Sequence, residues 1–178
     1  VLAFFAASKT NAQTECNPST TSEIYFNTSA NKLYSVVVGP TGNYISHSLK
    51  GTMRAPQVID GTGSYGSNYG DIGFNTDGKL YAISQGSNSS LVVEIDPANA
   101  QDIGTPFSLP FTQPTGLTFD KFGNMYTNRS DNTNTAFFTS VVYKRNASNL
   151  AGSGSIFVDF SNETPTAAGV AGPGNITD

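Results

Sequence analysis

The feature that most constrains the fold is a short motif that occurs three times along the chain. Each copy has an apolar segment, a turn that contains Gly or Asn, and a Leu-Tyr or Met-Tyr pair that begins a second apolar segment. In the second copy, Ile72 and Phe74 alternate with Gly73 ahead of the turn 75–78. Alternation with a period of two is typical of a half-buried strand, so each copy predicts a β-hairpin.

The three copies are evenly spaced. Phe26 and Phe74 are 48 positions apart, and Phe74 and Phe119 are 45 apart. A repeat of this length matches a propeller blade, and further apolar segments bring each copy to about four strands, as a blade requires. We therefore predict an all-β fold, a partial β-propeller of about three four-stranded antiparallel blades. A β-sandwich with similar hairpins is the alternative.

The N-terminus predicts export. An apolar run, Val1 to Ala7, precedes a polar stretch that reaches Ala12-Gln13, a pattern typical of the end of a secretory signal peptide cleaved after Ala12. A buried strand is the alternative for this run, which is too short to span a bilayer. The predicted division is therefore a signal peptide remnant, a propeller-like domain, and a Gly/Ala/Pro/Thr-rich linker to a further module. Their bounds are 1–12, 13–163 and 164–178, with blades at about 23–60, 70–112 and 114–160.

The segment from Ile72 to Ser84, with Leu91 to Pro97, resembles the blades of secreted β-propellers of the NHL, YVTN and gluconolactonase-like group. The blades of that group repeat a motif in which apolar-x-Phe-Asp is followed by a turn that contains Gly and then by Leu-Tyr. The resemblance covers roughly residues 23–160 and implies a blade, not an activity. The N-terminal region is also similar to that of exported adhesin-like proteins of Bacteroidetes-type bacteria, which implies an extracellular or cell-surface location.

The charge pattern argues against two classes of partner. The formal net charge is −4, and the nine Lys and Arg residues are scattered apart from Lys144-Arg145. Nucleic-acid binding needs clustered positive charge that displaces counterions, so no nucleic-acid partner is expected. A polybasic membrane anchor is also missing, and we expect no membrane insertion of the mature chain.

The inventory of reactive side chains contains no complete catalytic set. His47 and Cys16 are the only residues of their types, which rules out a zinc site built from several His and Cys. The resemblance implies one candidate metal site, because gluconolactonase-type propellers hold a divalent cation with carboxylate and Asn oxygens at the central axis. Calcium accepts such ligands, here Asn75, Asp77 and Asp120; the alternative is that these turn residues bond their own backbone. No other cofactor is expected.

Two polar loops are candidate ligand-binding segments. Tyr65 and Tyr69 belong to the loop 60–69, and Arg129 belongs to the loop 128–139. Loops on rigid sheets often carry binding functions, although ordinary connections between blades are the alternative. We predict a non-catalytic recognition or adhesion module of a larger exported protein, with a glycan or protein ligand. The alternatives are a truncated calcium-dependent propeller hydrolase or lactonase, and a structural spacer in a surface protein.

Overall fold

A computed structural model describes residues 20–59, 61, 65–86, 89–109, 114, 116–131 and 139–159. Within these residues the chain forms three antiparallel sheets, joined in chain order, and two short helical turns. The all-β prediction is confirmed. The expected domain boundaries near residues 12 and 163 lie outside the described residues, as does Cys16.

The first sheet contains three strands in the described part of the chain, where about four were expected. In order across the sheet, they are β1 (Ser22–Asn27), β2 (Lys32–Val38) and β3 (Tyr44–Thr52). A single helical turn, α1 (Pro56–Ile59), follows β3 on the way to the second sheet.

The second and third sheets each contain four strands in sequential order. The second sheet consists of β4 (Tyr69–Phe74), β5 (Leu80–Ser84), β6 (Ser90–Ile95) and β7 (Asp102–Leu109). The third sheet consists of β8 (Leu117–Phe119), β9 (Met125–Asp131), β10 (Thr139–Arg145) and β11 (Ser155–Asp159). A 3-10 turn at Ala147–Asn149 connects β10 to β11.

The first hairpin of each sheet closes with the same turn. Its first residue is Thr28, Asn75 or Asp120, and one side-chain oxygen accepts backbone N–H bonds from the residues two and four positions later. The fourth residue has positive φ, and it is Asn31, Gly78 or Gly123. Asn and Gly tolerate this left-handed conformation, which explains why an Asn replaces Gly in the first hairpin.

The pairing register corrects the alignment of the first copy by one residue. Leu80 pairs with Phe74 and Met125 with Phe119, but the equivalent Leu33 pairs with Asn27. Phe26, which the repeat spacing aligns with Phe74 and Phe119, is therefore not their structural equivalent. The sequence comparison aligned the aromatic residues, whereas the turns and the buried residues after them determine which positions are equivalent.

The inner strands of the second and third sheets run side by side in the same direction. The backbone N–H of Leu117 in β8 donates to Asp71 Oδ2 in β4, and the two hairpin turns are adjacent at Thr76 and Gly123. The strand β1 instead runs in the opposite direction to β4. Asn27 at the end of β1 donates to the carbonyl of Tyr69 at the start of β4, while Tyr25 contacts Phe74 at its end.

This difference decides which face of the first sheet is buried. The two core clusters lie on either side of the second sheet, one against the first sheet and one against the third. The first cluster contains Tyr25, Leu33, Met53, Tyr69, Ile72, Leu80, Ala82, Leu91, Val93, Ile95 and Ala100. The second contains Tyr81, Ile83, Val92, Leu109, Leu117 and Met125. The other face of the first sheet, which carries Phe26 and Tyr34, therefore points outward.

Candidate functional site

The structure places the two loop tyrosines at the junction of the first and second sheets. Tyr69 is buried, its ring lies in the first core cluster, and its hydroxyl donates to the carbonyl of Arg54 at 3.0 Å. Burial, with a contribution from Asp102, raises the pKa of Tyr69 well above its ordinary value, so the phenol stays protonated and donates. Tyr65 is half-buried and packs against the same cluster. Tyr69 thus contributes to packing rather than to an open surface.

Arg129 lies on β9 opposite Val141 in the pairing with β10. Its side chain is outside the described part of the chain, and so are residues 132–138 of its loop. The prediction that Arg129 binds a ligand stays a prediction.

The candidate metal ligands are arranged around their own turns. Asn75 Oδ1 accepts the N–H groups of Asp77 and Lys79, and Asn75 Nδ2 lies 3.5 Å from Asp77 Oδ2. The turns that contain Asn75 and Asp120 are neighbours, because a methyl group on Gly123 would lie 3.2 Å from Thr76 Oγ1. The described residues contain no group of three or more His, Cys, Asp or Glu side chains that could hold a metal ion.

Asp120 has the most complete set of partners among these residues. Its Oδ1 accepts backbone N–H bonds from Phe122 and Asn124, and its Oδ2 accepts bonds from Asn124 Nδ2 and Tyr126 Oη. Desolvation acts to raise the pKa of Asp120, but these bonds together outweigh it and lower the pKa. The four donors occupy the lone-pair positions of the carboxylate, so a bound cation would have to displace at least one of them.

The most exposed apolar surface of the first sheet is its outward face, which we define by six residues. Cross-strand pairing places Ile24 beside Val36, Phe26 beside Tyr34, Tyr34 beside Leu49 and Val36 beside His47. The rings of Phe26 and Tyr34 stack with centroids 5.3 Å apart and planes 8° from parallel. The outward face therefore consists of Ile24, Phe26, Tyr34, Val36, His47 and Leu49.

The rim of this face lies on β3. Tyr44 is 61% exposed and Leu49 is 52% exposed, and the Tyr44 hydroxyl is 2.6 Å from His47 Nδ1. On the opposite face of the sheet, Lys50 and Glu23 form an ion pair beside Tyr25. Burial, with a contribution from Glu23, raises the pKa of Tyr25 to about 12. The outward face thus combines an aromatic pair and aliphatic side chains with a polar rim, and the exposed Lys32 lies beside Tyr34 on the same face of β2. Such surfaces are typical of binding sites for uncharged or amphipathic partners.

The sequence of β2 carries a signal for this face. In β2 the apolar residues Leu33, Tyr34, Val36, Val37 and Val38 occupy both faces of the strand. That pattern is typical of a strand that is covered on both sides. In the structure, one side packs on the second sheet and the other remains half-exposed, which the sequence pattern does not distinguish.

Comparison with known proteins supports the fold. No protein-family model matches the chain, and no curated protein matches it. Among solved structures, an α-L-arabinofuranosidase from Clostridium thermocellum ATCC 27405 is 13% identical, with a TM-score of 0.54 over 83% of this chain and 50% of the other. The Dos1 propeller is 14% identical, with a TM-score of 0.42 over 79% of this chain and 33% of the other.

These similarities concern architecture. The chain spans about half the length of the arabinofuranosidase and a third of the Dos1 propeller. No helix in the described ranges is long and apolar enough to cross a membrane. The three antiparallel sheets, together with the similarity in fold to the arabinofuranosidase, confirm a partial β-propeller.

Proposed function

We propose that the chain is a recognition module of an exported surface protein, and that it binds a glycan or protein ligand through the outward face of the first sheet. The observation that carries the proposal is the stacked pair of Phe26 and Tyr34 beside the exposed Leu49. Exposed apolar and aromatic surface is costly in water, and contiguous patches with a polar rim usually mark interaction sites. Aromatic rings supply a large contact area with few rotatable bonds, which favours binding.

None of the six residues that define this face is Asp, Glu, Lys or Arg, which favours a ligand that is uncharged where it contacts the aromatic pair, with Lys32 at the edge of the contact. A flat aromatic pair suits the apolar face of a sugar ring or an exposed aliphatic side chain, and hydroxyl groups at the rim, such as that of Tyr44, supply hydrogen bonds. The location outside the cell rests on the sequence pattern of residues 1–12, which lie outside the described residues.

Binding assays on matched variants test the proposal. The full chain would be applied to a glycan array and to immobilised cell-surface proteins, and any ligand found would be measured against three variants. Phe26→Ala with Tyr34→Ala removes the stacked pair, and Leu49→Lys adds a charge to the face with little loss of packing. Phe122→Ala is the control, because Phe122 is 70% exposed in the turn after Asp120. We expect both face variants to lose binding and the control to keep it.

Equal binding by all variants would contradict the site, and no binding by the wild type to any probe would favour a structural spacer. A thermal melt of each variant separates lost binding from lost folding. Leu49→Lys is the more informative variant here, since an exposed substitution away from special features changes stability by only about 0.5 kcal/mol.

A second candidate function is hydrolysis, favoured by the similarity in fold to an α-L-arabinofuranosidase. In this alternative the chain is part of a propeller hydrolase or lactonase, with calcium near Asn75, Asp77 and Asp120. Release of nitrophenol from 4-nitrophenyl α-L-arabinofuranoside, or turnover of a lactone, would support it. A calcium titration that leaves the melting temperature unchanged would argue against the metal.

A further inference from the structure

The long edge of β3 differs from the other outer edges of the molecule. The strand β3 pairs with β2 along one side, and no strand in the described part of the chain pairs with its other side. The N–H and C=O groups along such an edge are able to pair with another strand. Natural proteins usually prevent this with charges, proline, bulges or a short strand.

The outer strands of the other two sheets carry these protective features. The strand β7 contains Pro106 and Gly104, the latter at positive φ, and its pairing with β6 is irregular. The strand β11 has five residues, ends at Asp159, and also pairs irregularly. Both edges are therefore poor templates for a further strand.

The strand β3 also pairs irregularly with β2, at Leu33/Tyr34 and at Val37/Val38, but it lacks most of the other protective features. It is nine residues long, and the six residues 44–49 contain no charged residue, no proline and no glycine. Tyr44, Ile45 and Leu49 are 61%, 49% and 52% exposed. A long, uncharged, apolar edge of this kind favours strand pairing between chains.

We propose that β3 pairs antiparallel with β3 of a second copy of this chain, so that the first sheets of two copies form one continuous sheet. The uncharged segment 44–49 allows two identical strands to meet without like charges facing each other, although each copy carries a net charge of −4. Pairing centred between Ser46 and His47 places Ser46 of each copy opposite His47 of the other, within the stretch 46–49 of β3 that pairs regularly with β2.

The added strand occupies the fourth position that the second and third sheets fill with β7 and β11. Because the pairing is symmetric, it closes at two copies and leaves no further edge of the same kind. The outward faces of the two copies then lie in one sheet, which raises the avidity for a repetitive ligand. The pairing itself requires no ligand, so it is independent of the proposed function.

Analytical ultracentrifugation of the full chain over a range of concentrations tests the proposal. We expect a reversible monomer–dimer equilibrium in the wild type. Ile45→Lys, which adds a charge to the β3 edge, is expected to raise the dimer dissociation constant about tenfold or more. Ile156→Lys is the matched control, since Ile156 is 58% exposed on the outer strand β11. We expect the control to dimerise like the wild type.

Hydrogen exchange locates the contact. We expect amide exchange of residues 44–49 to slow as the protein concentration rises and to return to the monomer rate on dilution. A wild type that remains monomeric would overturn the proposal, and so would equal weakening by Ile45→Lys and Ile156→Lys. Protection of residues 44–49 that does not depend on concentration would also overturn it, because a segment of the same chain would then cover the edge.

Discussion

Asp71 and Leu117 join the second and third sheets: the backbone N–H of Leu117 donates to Asp71 Oδ2 at 2.6 Å. The other oxygen, Oδ1, accepts the N–H of Ile72 at 2.8 Å. Both residues are buried, and the bond connects strands of two different sheets. A buried carboxylate thus serves here as an acceptor for backbone groups at the junction of two sheets.

We expect Asp71→Asn to lower the free energy of unfolding by about 2 kcal/mol. The amide has one acceptor oxygen instead of two, so one buried N–H loses its partner, and such a group costs about 1–3 kcal/mol. Asp77→Asn is the control, because Asp77 is exposed and should change stability by no more than about 0.5 kcal/mol. Urea denaturation of both variants measures the difference, and equal effects would contradict the role of Asp71.

The pKa of Asp120 predicts part of the acid sensitivity of the fold. Because the folded-state pKa is lowered, the ionised carboxylate stabilises the fold above the unfolded pKa, and this contribution is lost as the pH falls through the folded pKa. Asp120→Asn removes the titration but keeps the turn, since Asn75 forms the same turn in the second sheet. Melting temperatures of wild type and variant should therefore converge between about pH 5 and pH 2. A difference that does not change with pH would contradict this assignment.

Two glycines at equivalent turn positions are expected to differ in tolerance. Gly78 and Gly123 have φ of 75° and 79°, so alanine costs about 1–2 kcal/mol at either position. A methyl group at Gly123 would also lie 3.2 Å from Ala147 Cβ and Thr76 Oγ1, whereas Gly78 has open space. We expect Gly123→Ala to destabilise the protein more than Gly78→Ala in chemical denaturation.

Gly78→Asn provides the control for backbone conformation. Asn31 adopts φ of 57° at the same place in the first hairpin, so asparagine should cost less at position 78 than alanine does. The reverse order would show that backbone conformation does not determine these costs.

Tyr69→Phe tests whether Tyr69 supports the junction of the first and second sheets. The substitution removes the hydroxyl that donates to the carbonyl of Arg54, and we expect a loss of about 1 kcal/mol in the free energy of unfolding. Tyr44→Phe makes the same chemical change at an exposed bond to His47 and should be nearly neutral. Thermal or urea unfolding compares the two, and a neutral Tyr69→Phe would contradict the assignment.

Local pattern predicted much of the fold because the hairpins depend on nearby residues. Turn chemistry at Asn75, Gly78, Asp120 and Gly123, and the alternation of apolar residues, involve residues within a few positions of each other. The same local view misaligned Phe26, since an aromatic residue one position away satisfied the pattern. It also suggested Tyr69 for ligand binding, because the local sequence around Tyr69 does not indicate that another sheet buries its ring.

The amino-acid sequence alone determined the strand class, the hairpin turns and the approximate repeat, because these follow from backbone preferences and side-chain alternation over short distances. Only the tertiary structure decided that β1 lies beside β4 in the opposite direction, whereas β8 lies beside β4 in the same direction. That choice depends on contacts between residues about 40 positions apart, such as Asn27 with Tyr69. This arrangement leaves Phe26 and Tyr34 facing outward. The sequence could not predict it, because a strand that is apolar on both faces does not specify which face another sheet will cover.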